Sequence, residues 1–385
     1  MGVNFEFATS IRIIFENGSF KKVPVLIKEL GSKVFIVTGK NQKLANQLSE
    51  WLNEINIQFE IFSIYSEPIT TDIEKGTELA RKTGCSVVVG IGGGSVIDSA
   101  KAIAALAPNK GDLTDYLEVI GKGRKLEKAP LPFIAIPTTA GTGAEVTKNS
   151  VIKSMEHSVK VSLRSDLMYP KVALVDPELT LTMPPDITAS TGVDALTHLL
   201  ETFVSIQSNP FIDIFCREGM KRISASLELA FNDGNNLEAR ENMAMASMLG
   251  GMALANVKLG AVHGFAGPLG GMFPIPHGAV CACLLPAVME INIATLKDKN
   301  QNSQLLKYNE VAQILTGVKS AVAEEGVVWV KELVKKLQIP TLSDFHLSTD
   351  SFPDLIEKAK NSSSMKGNPV ELDNEQLQEI LHKSL

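Results

Sequence analysis

Ser86-Val87-Val88-Val89-Gly90-Ile91-Gly92-Gly93-Gly94-Ser95-Val96-Ile97-Asp98 is the stretch on which the fold turns. Its first half, residues 86–91, is apolar on both faces, as a central strand of a parallel sheet must be when helices cover both sides. Three glycines then lead into a segment carrying Ala100, Ala102, Ile103 and Ala104, which reads as a helix. Without Cβ atoms a backbone approaches a pyrophosphate closely, and the first free N–H groups of a helix add donors and a positive dipole. The run departs from the ordinary dinucleotide fingerprint in two ways: Ser95 replaces the third glycine, and the loop follows a later strand than the first. Alone, a glycine run after a strand is more often a tight structural turn.

A second segment shifts that balance toward dinucleotide binding. Pro137-Thr138-Thr139-Ala140-Gly141-Thr142-Gly143-Ala144-Glu145 again follows an apolar strand with small and hydroxyl-bearing residues. Two such loops at strand ends of one sheet fit ligand placement at the carboxyl edge. Working outward, strands are expected at residues 34–38, 58–63, 133–136, 159–163 and 172–175, with helices at 41–54 and 72–83. After Asp176 the texture changes, and Pro184-Pro185 marks a boundary. Helical spacing follows at 187–204, 210–230, 237–257, 277–293 and 305–315, with two or three more helices to the end. The fold class is therefore an α/β, Rossmann-like dinucleotide-binding domain (residues 1–183) followed by an all-α helical bundle (residues 184–385). No repeat of solenoid period stands out.

A chain of 385 residues with 44% hydrophobic and 21% charged residues has the composition of a two-domain globular protein. A formal charge of -6 disfavours nucleic acid, which needs clustered Lys and Arg. The one local basic run, Lys122, Arg124 and Lys125, lies in a glycine-containing loop. Cys85, Cys216, Cys281 and Cys283 form neither a CxxC pair nor a regular framework, which points to free thiols in a reducing, cytoplasmic setting. Residues 1–20 lack the basic head and apolar run of a signal peptide. The apolar stretch 243–257 is interrupted by Ser247, Gly250, Gly251 and Asn256 and reads as a buried helix, with no membrane span expected.

Asp194 and His198 stand at i, i+4, one carboxylate and one imidazole on a single helical face. In isolation such a pair is more often incidental. His263, in Gly260-Ala-Val-His-Gly-Phe-Ala-Gly267, and His277, in Phe273-Pro-Ile-Pro-His-Gly-Ala-Val280, lie among small and apolar residues. Three of the six histidines in the chain thus occupy settings that strip hydration from an imidazole, for which a metal bond compensates. Satisfied core histidines are the competing reading. One carboxylate and three neutral imidazoles suit Fe(II), Zn(II) and, less commonly, Mn or Co. Such an ion, left with a free position, would polarise a substrate oxygen. His157, His346 and His382 have polar neighbours and no such pattern.

Taken together and in this order, these segments resemble the iron-containing (group III) alcohol dehydrogenases over nearly the whole length. The similarity is carried by Gly92-Gly93-Gly94-Ser95-Val96-Ile97-Asp98, Pro137-Thr138-Thr139-Ala140-Gly141-Thr142, Val175-Asp176-Pro177-Glu178-Leu179-Thr180 and Thr191-Gly192-Val193-Asp194-Ala195-Leu196-Thr197-His198. The resemblance implies a dehydroquinate synthase-like plan with a helical metal-binding and catalytic domain and catalysis in the cleft between domains. It implies metal ligands at Asp194, His198, His263 and His277, with Fe(II) favoured and Zn(II) as the alternative. It implies NAD or NADP contacts at Gly39, Gly93, Gly94, Ser95, Asp98, Thr138, Thr139, Thr147, Asn149, Lys160 and Leu179. The expected substrate is a small primary alcohol, diol or aldehyde, and the expected assembly a homodimer or larger homo-oligomer.

Two departures from the family pattern matter. Many members carry a histidine four residues after the third ligand, where this chain has Gly267, so no general base is assigned and the pocket beside the metal should be roomier. Gly39 stands where NAD-preferring members often place an aspartate, which removes repulsion toward a 2′-phosphate that Lys40 or Lys43 would attract. Two other activities compete: a lyase of the dehydroquinate-synthase type, which would need converging basic residues not seen near the metal segments, and a nucleotide- or metal-binding protein with degenerate catalysis.

Overall fold

A computed structural model describes residues 4–385. Eight strands are found among them: β1 (Arg12–Phe15), β2 (Lys33–Thr38), β3 (Gln58–Ser63), β4 (Val87–Gly92), β5 (Phe133–Pro137), β6 (Asn149–Ser154), β7 (Val159–Arg164) and β8 (Val172–Val175). Six of these form one sheet in the order β1-β8-β5-β4-β2-β3, every pairing parallel. The alternation along β2 explains why both sheet faces must be covered. Val34 and Ile36 enter one apolar layer with helices α1 (Val23–Leu30) and α2 (Lys43–Glu54). Phe35 and Val37 enter the other, with α3 (Thr70–Thr83) and α4 (Gly94–Leu106). A short helix, α5 (Leu113–Tyr116), follows α4. This is the doubly wound arrangement that the strand at residues 86–91 implied, and β4 is buried at every position.

The sequence reading placed residues 159–163 in that sheet, and the structure corrects it. β7 pairs antiparallel with β6 as a separate hairpin, each strand burying only alternate residues. A strand with one wet face pairs readily in an antiparallel ribbon, whereas a strand of this parallel sheet must be apolar on both sides. The edge strand β1 and helix α1 went unread, being short and partly polar.

The helical part comprises α6 (Pro185–Val204), α7 (Pro210–Asn232), α8 (Leu237–Asn256), α9 (Ala261–Met272), α10 (His277–Asp298), α11 (Asn302–Thr316), α12 (Ala323–Lys336), α13 (Phe352–Asn361) and α14 (Asn374–Ser384). Pro185 opens α6 at a position where its missing N–H costs nothing. Asn209 caps α7 by accepting from Phe211 and Ile212 N–H. Helix α9 was not expected, because Gly264, Gly267, Pro268, Gly270 and Gly271 all argue against one. Burial of Val262, Phe265, Ala266 and Leu269 overrides that propensity. α10 is long and apolar enough to cross a membrane by length and composition, but 78% of its apolar window is buried inside the protein. The compact units are residues Thr9–Thr139 with Gly143–Thr180, and Leu181–Leu385 with Ala140–Thr142 and the segment ending at Ala8.

Candidate functional site

α6 carries Asp194, His198 and Glu201 at i, i+4 and i+7, one face of the helix. His263 lies in the first turn of α9, and His277 is the first residue of α10. These helices bring the Nε2 atoms of His198, His263 and His277 to 3.6, 3.5 and 3.6 Å from one oxygen, Oδ1 of Asp194. That oxygen is buried and, among the described residues, has no hydrogen-bond partner. The separations are too long for hydrogen bonds. They match donors arranged around an ion, since ligands about 2.1 Å from a tetrahedral metal lie about 3.4 Å from each other. One ligand atom from each of the four residues falls within 4.8 Å of every other. The residues present therefore fit a divalent cation.

Electrostatics favour the same ligand set. Burial alone would push the Asp194 carboxyl up, but the imidazoles, His198 foremost, hold it well below the usual carboxylate range. Burial lowers the His198 imidazole to about 4 against the pull of Asp194, so its lone pair is free near neutrality. Cys281 Sγ lies 3.8 Å from Nε2 of both His263 and His277. Burial pushes that thiol up to about 12, which keeps it protonated and weak as a donor. Gly267, one turn beyond His263, has no atom of another described element within 4 Å of where a Cβ would stand. His157 bonds Ser154, and His382 packs on Phe352, so neither joins the cluster.

Glu201 was missed by sequence reasoning. Its Oε2 lies 2.7 Å from His263 Nδ1, and its Oε1 accepts from Val262 N–H at 2.7 Å. Its place three residues after His198, on the face already identified by Asp194, was the signal available.

In the sheet unit, Gly39, Gly93 and Thr138 follow the carboxyl ends of β2, β4 and β5, three neighbouring strands. Gly93 caps α4, with Gly94 and Ser95 as its first residues. A Cβ at Gly93 would meet the Thr139 side chain at 3.2 Å, and Thr138 N–H donates to Gly92 O at 3.0 Å, so the two loops lie against each other. Behind them sits Lys101, also missed, on α4. Its Nζ donates to Ala144 O (2.8 Å), Thr147 Oγ1 (2.9 Å) and Asn149 O (2.8 Å), and burial lowers it to about 8. Asp98 accepts from Val151 N–H at 2.9 Å, tying α4 to β6, and burial pushes it up to about 6. Lys160 is paired with Glu67 at 2.6 Å, and Leu179 packs beneath the sheet in the turn after β8.

Residues 10–177 match the profile of iron-containing alcohol dehydrogenase, and residues 188–385 the C-terminal profile of the Fe-containing alcohol dehydrogenase family. Alcohol dehydrogenase 4 of Saccharomyces cerevisiae is 34% identical over 374 residues, 96% of this chain and 92% of that protein. NAD-dependent methanol dehydrogenase of Bacillus methanolicus is 33% identical over 85% of this chain and 86% of its own. The crystal structure of a 1,3-propanediol oxidoreductase superposes with a TM-score of 0.90 at 31% identity, covering 99% of this chain and all of that one. This chain belongs to the iron-containing alcohol dehydrogenase family. It is a metal-dependent oxidoreductase acting on alcohols, with the parallel sheet and helical bundle of its relatives.

Proposed function

We propose that the chain moves a hydride between NAD(P) and a small primary alcohol, diol or aldehyde, using one divalent cation held by Asp194, His198, His263 and His277. Fe(II) is the first choice and Zn(II) the alternative. The observation that carries this is the meeting of three imidazole nitrogens around one orphaned carboxylate oxygen. The bound cation supplies Lewis acidity toward the substrate oxygen. Asp194 brings the compensating negative charge, and the imidazoles, deprotonated as the cation binds, bring lone pairs without further charge.

The cofactor falls to Gly39, Gly93, Gly94, Ser95, Asp98, Thr138, Thr139, Thr147, Asn149, Lys160 and Leu179. Support comes from the loops at three adjacent strand ends and from the N-terminus of α4, suited to a pyrophosphate. Gly39 brings no carboxylate to the adenosine ribose, and Lys40 and Lys43 are exposed nearby in sequence, so a 2′-phosphate is accepted as well as a hydroxyl. We place the functional division at residues 183/184, the work of the enzyme in the cytoplasm, and its assembly as a homodimer or larger homo-oligomer. Anaerobic loading of the metal-free chain with Fe(II) or Zn(II), followed by an alcohol and aldehyde panel with both cofactors, tests the proposal. Turnover that needs the metal is expected. A loaded protein that binds NAD(P)H yet turns over nothing would overturn it in favour of a binding protein.

A further inference from the structure

We infer that Glu201 is a positioning residue for the metal, fixing which nitrogen of His263 faces the cluster. The inference rests on His263 being a ligand. Glu201 is 3% exposed, and both of its oxygens are engaged by donors. Oε1 accepts from Val262 N–H at 2.7 Å. Oε2 faces His263 N–H at 3.4 Å and His263 Nδ1 at 2.7 Å. A carboxylate only accepts, so Nδ1 carries a proton in this contact, and Nε2, 3.5 Å from Asp194 Oδ1, is the nitrogen left to face a cation. The same carboxylate sits at the N-terminus of α9, where the helix dipole favours its negative charge. The space is kept for it: a Cβ at Gly260 would stand 2.8 Å from Glu201 Oε1. Asn368 Oδ1 takes the remaining N–H of that turn, from Ala261, at 3.1 Å. One side chain of α6 thus orients a ligand on α9, while two others of α6 are ligands themselves.

Glu201→Gln offers one acceptor where two are needed, and its amide would donate either to Nδ1 or toward backbone N–H groups. The full-length, metal-free chain titrated with Zn(II) against a chromophoric chelator should bind about 10- to 100-fold more weakly in this variant. Nitrogen-15 histidine spectra should show a proton on His263 Nδ1 in the parent, with or without Zn(II), and weaken or lose it in the variant. A residue that only held the helices together would lower the melting temperature without moving that proton. Equal Zn(II) affinity with an unchanged tautomer overturns the inference. A parent that binds no Zn(II) refutes the metal reading instead, and the tautomer still decides the role of Glu201. Should Glu201→Gln fail to fold, Gly260→Ala, which displaces Oε1 while keeping the carboxylate, carries the test: weaker Zn(II) binding is expected, and unchanged binding overturns it.

Discussion

Oδ1 of Asp194 is the oxygen on which three imidazoles converge, and among the described residues it has no hydrogen-bond partner. Asp194→Asn keeps the shape and removes the charge that offsets a dication. Metal content by elemental analysis should fall at least tenfold, while NAD(P)H binding, assigned to other residues, should hold. Full metal occupancy in this variant would count against the ligand assignment. A different residue-level effect is set by Glu145, which burial pushes up to about 7 against its own backbone N–H and Lys101. A carboxyl raised from its ordinary 4.5 favours the protonated form in the folded state. Its stabilising contribution is therefore fully present below pH 4.5 and is lost as pH rises through 7. Relative to the parent, Glu145→Gln should gain with rising pH, by on the order of 3 kcal/mol in total. Melting curves of both proteins from about pH 5 to pH 8 check this; a difference that stays constant across the range contradicts it.

Among the elements, the close approach of α10 to α6 sets where His277 stands. A Cβ at Gly278 would lie 2.4 Å from the carbonyl oxygen of Ser190, a backbone atom that cannot swing aside. Gly278→Ala should therefore push the start of α10 away and weaken metal binding, with all four ligands present, at a cost of about 1–3 kcal/mol in denaturant stability. Wild-type metal affinity and stability together would show that this approach sets nothing. The elements also explain what could be read from sequence. Asp194 and His198 were legible because both ride one helix at i, i+4, and β4 with its glycines was legible because a run buried on both faces has no polar period. Glu201, on the same face, was not, since an acidic residue on a helix is ordinarily solvated. Only α9 packing over it makes it a partner of His263, and α9 was hidden by its glycines and proline. Lys101 was hidden likewise: its three acceptors lie in the loop and hairpin after β5, which no local period on α4 announces.

At the scale of the whole molecule, the division of labour follows from the two kinds of layer. The parallel sheet ends in loops poor in side chains and rich in backbone donors, which suits phosphates, while the helices bury side chains that can surround a cation. Family membership joins these into one enzyme acting on alcohols. The central claim is that the cation held by Asp194, His198, His263 and His277 is required for hydride transfer. The most direct measurement follows deuterium from a 1-deuterated primary alcohol into NAD(P)H, using the same preparation metal-free, reloaded with one equivalent of Fe(II) or Zn(II), and as His277→Ala. Label should appear only after reloading and should be lost, together with bound metal, in His277→Ala. Equal transfer by the metal-free chain, or a His277→Ala protein that keeps both its metal and its rate, would contradict the account.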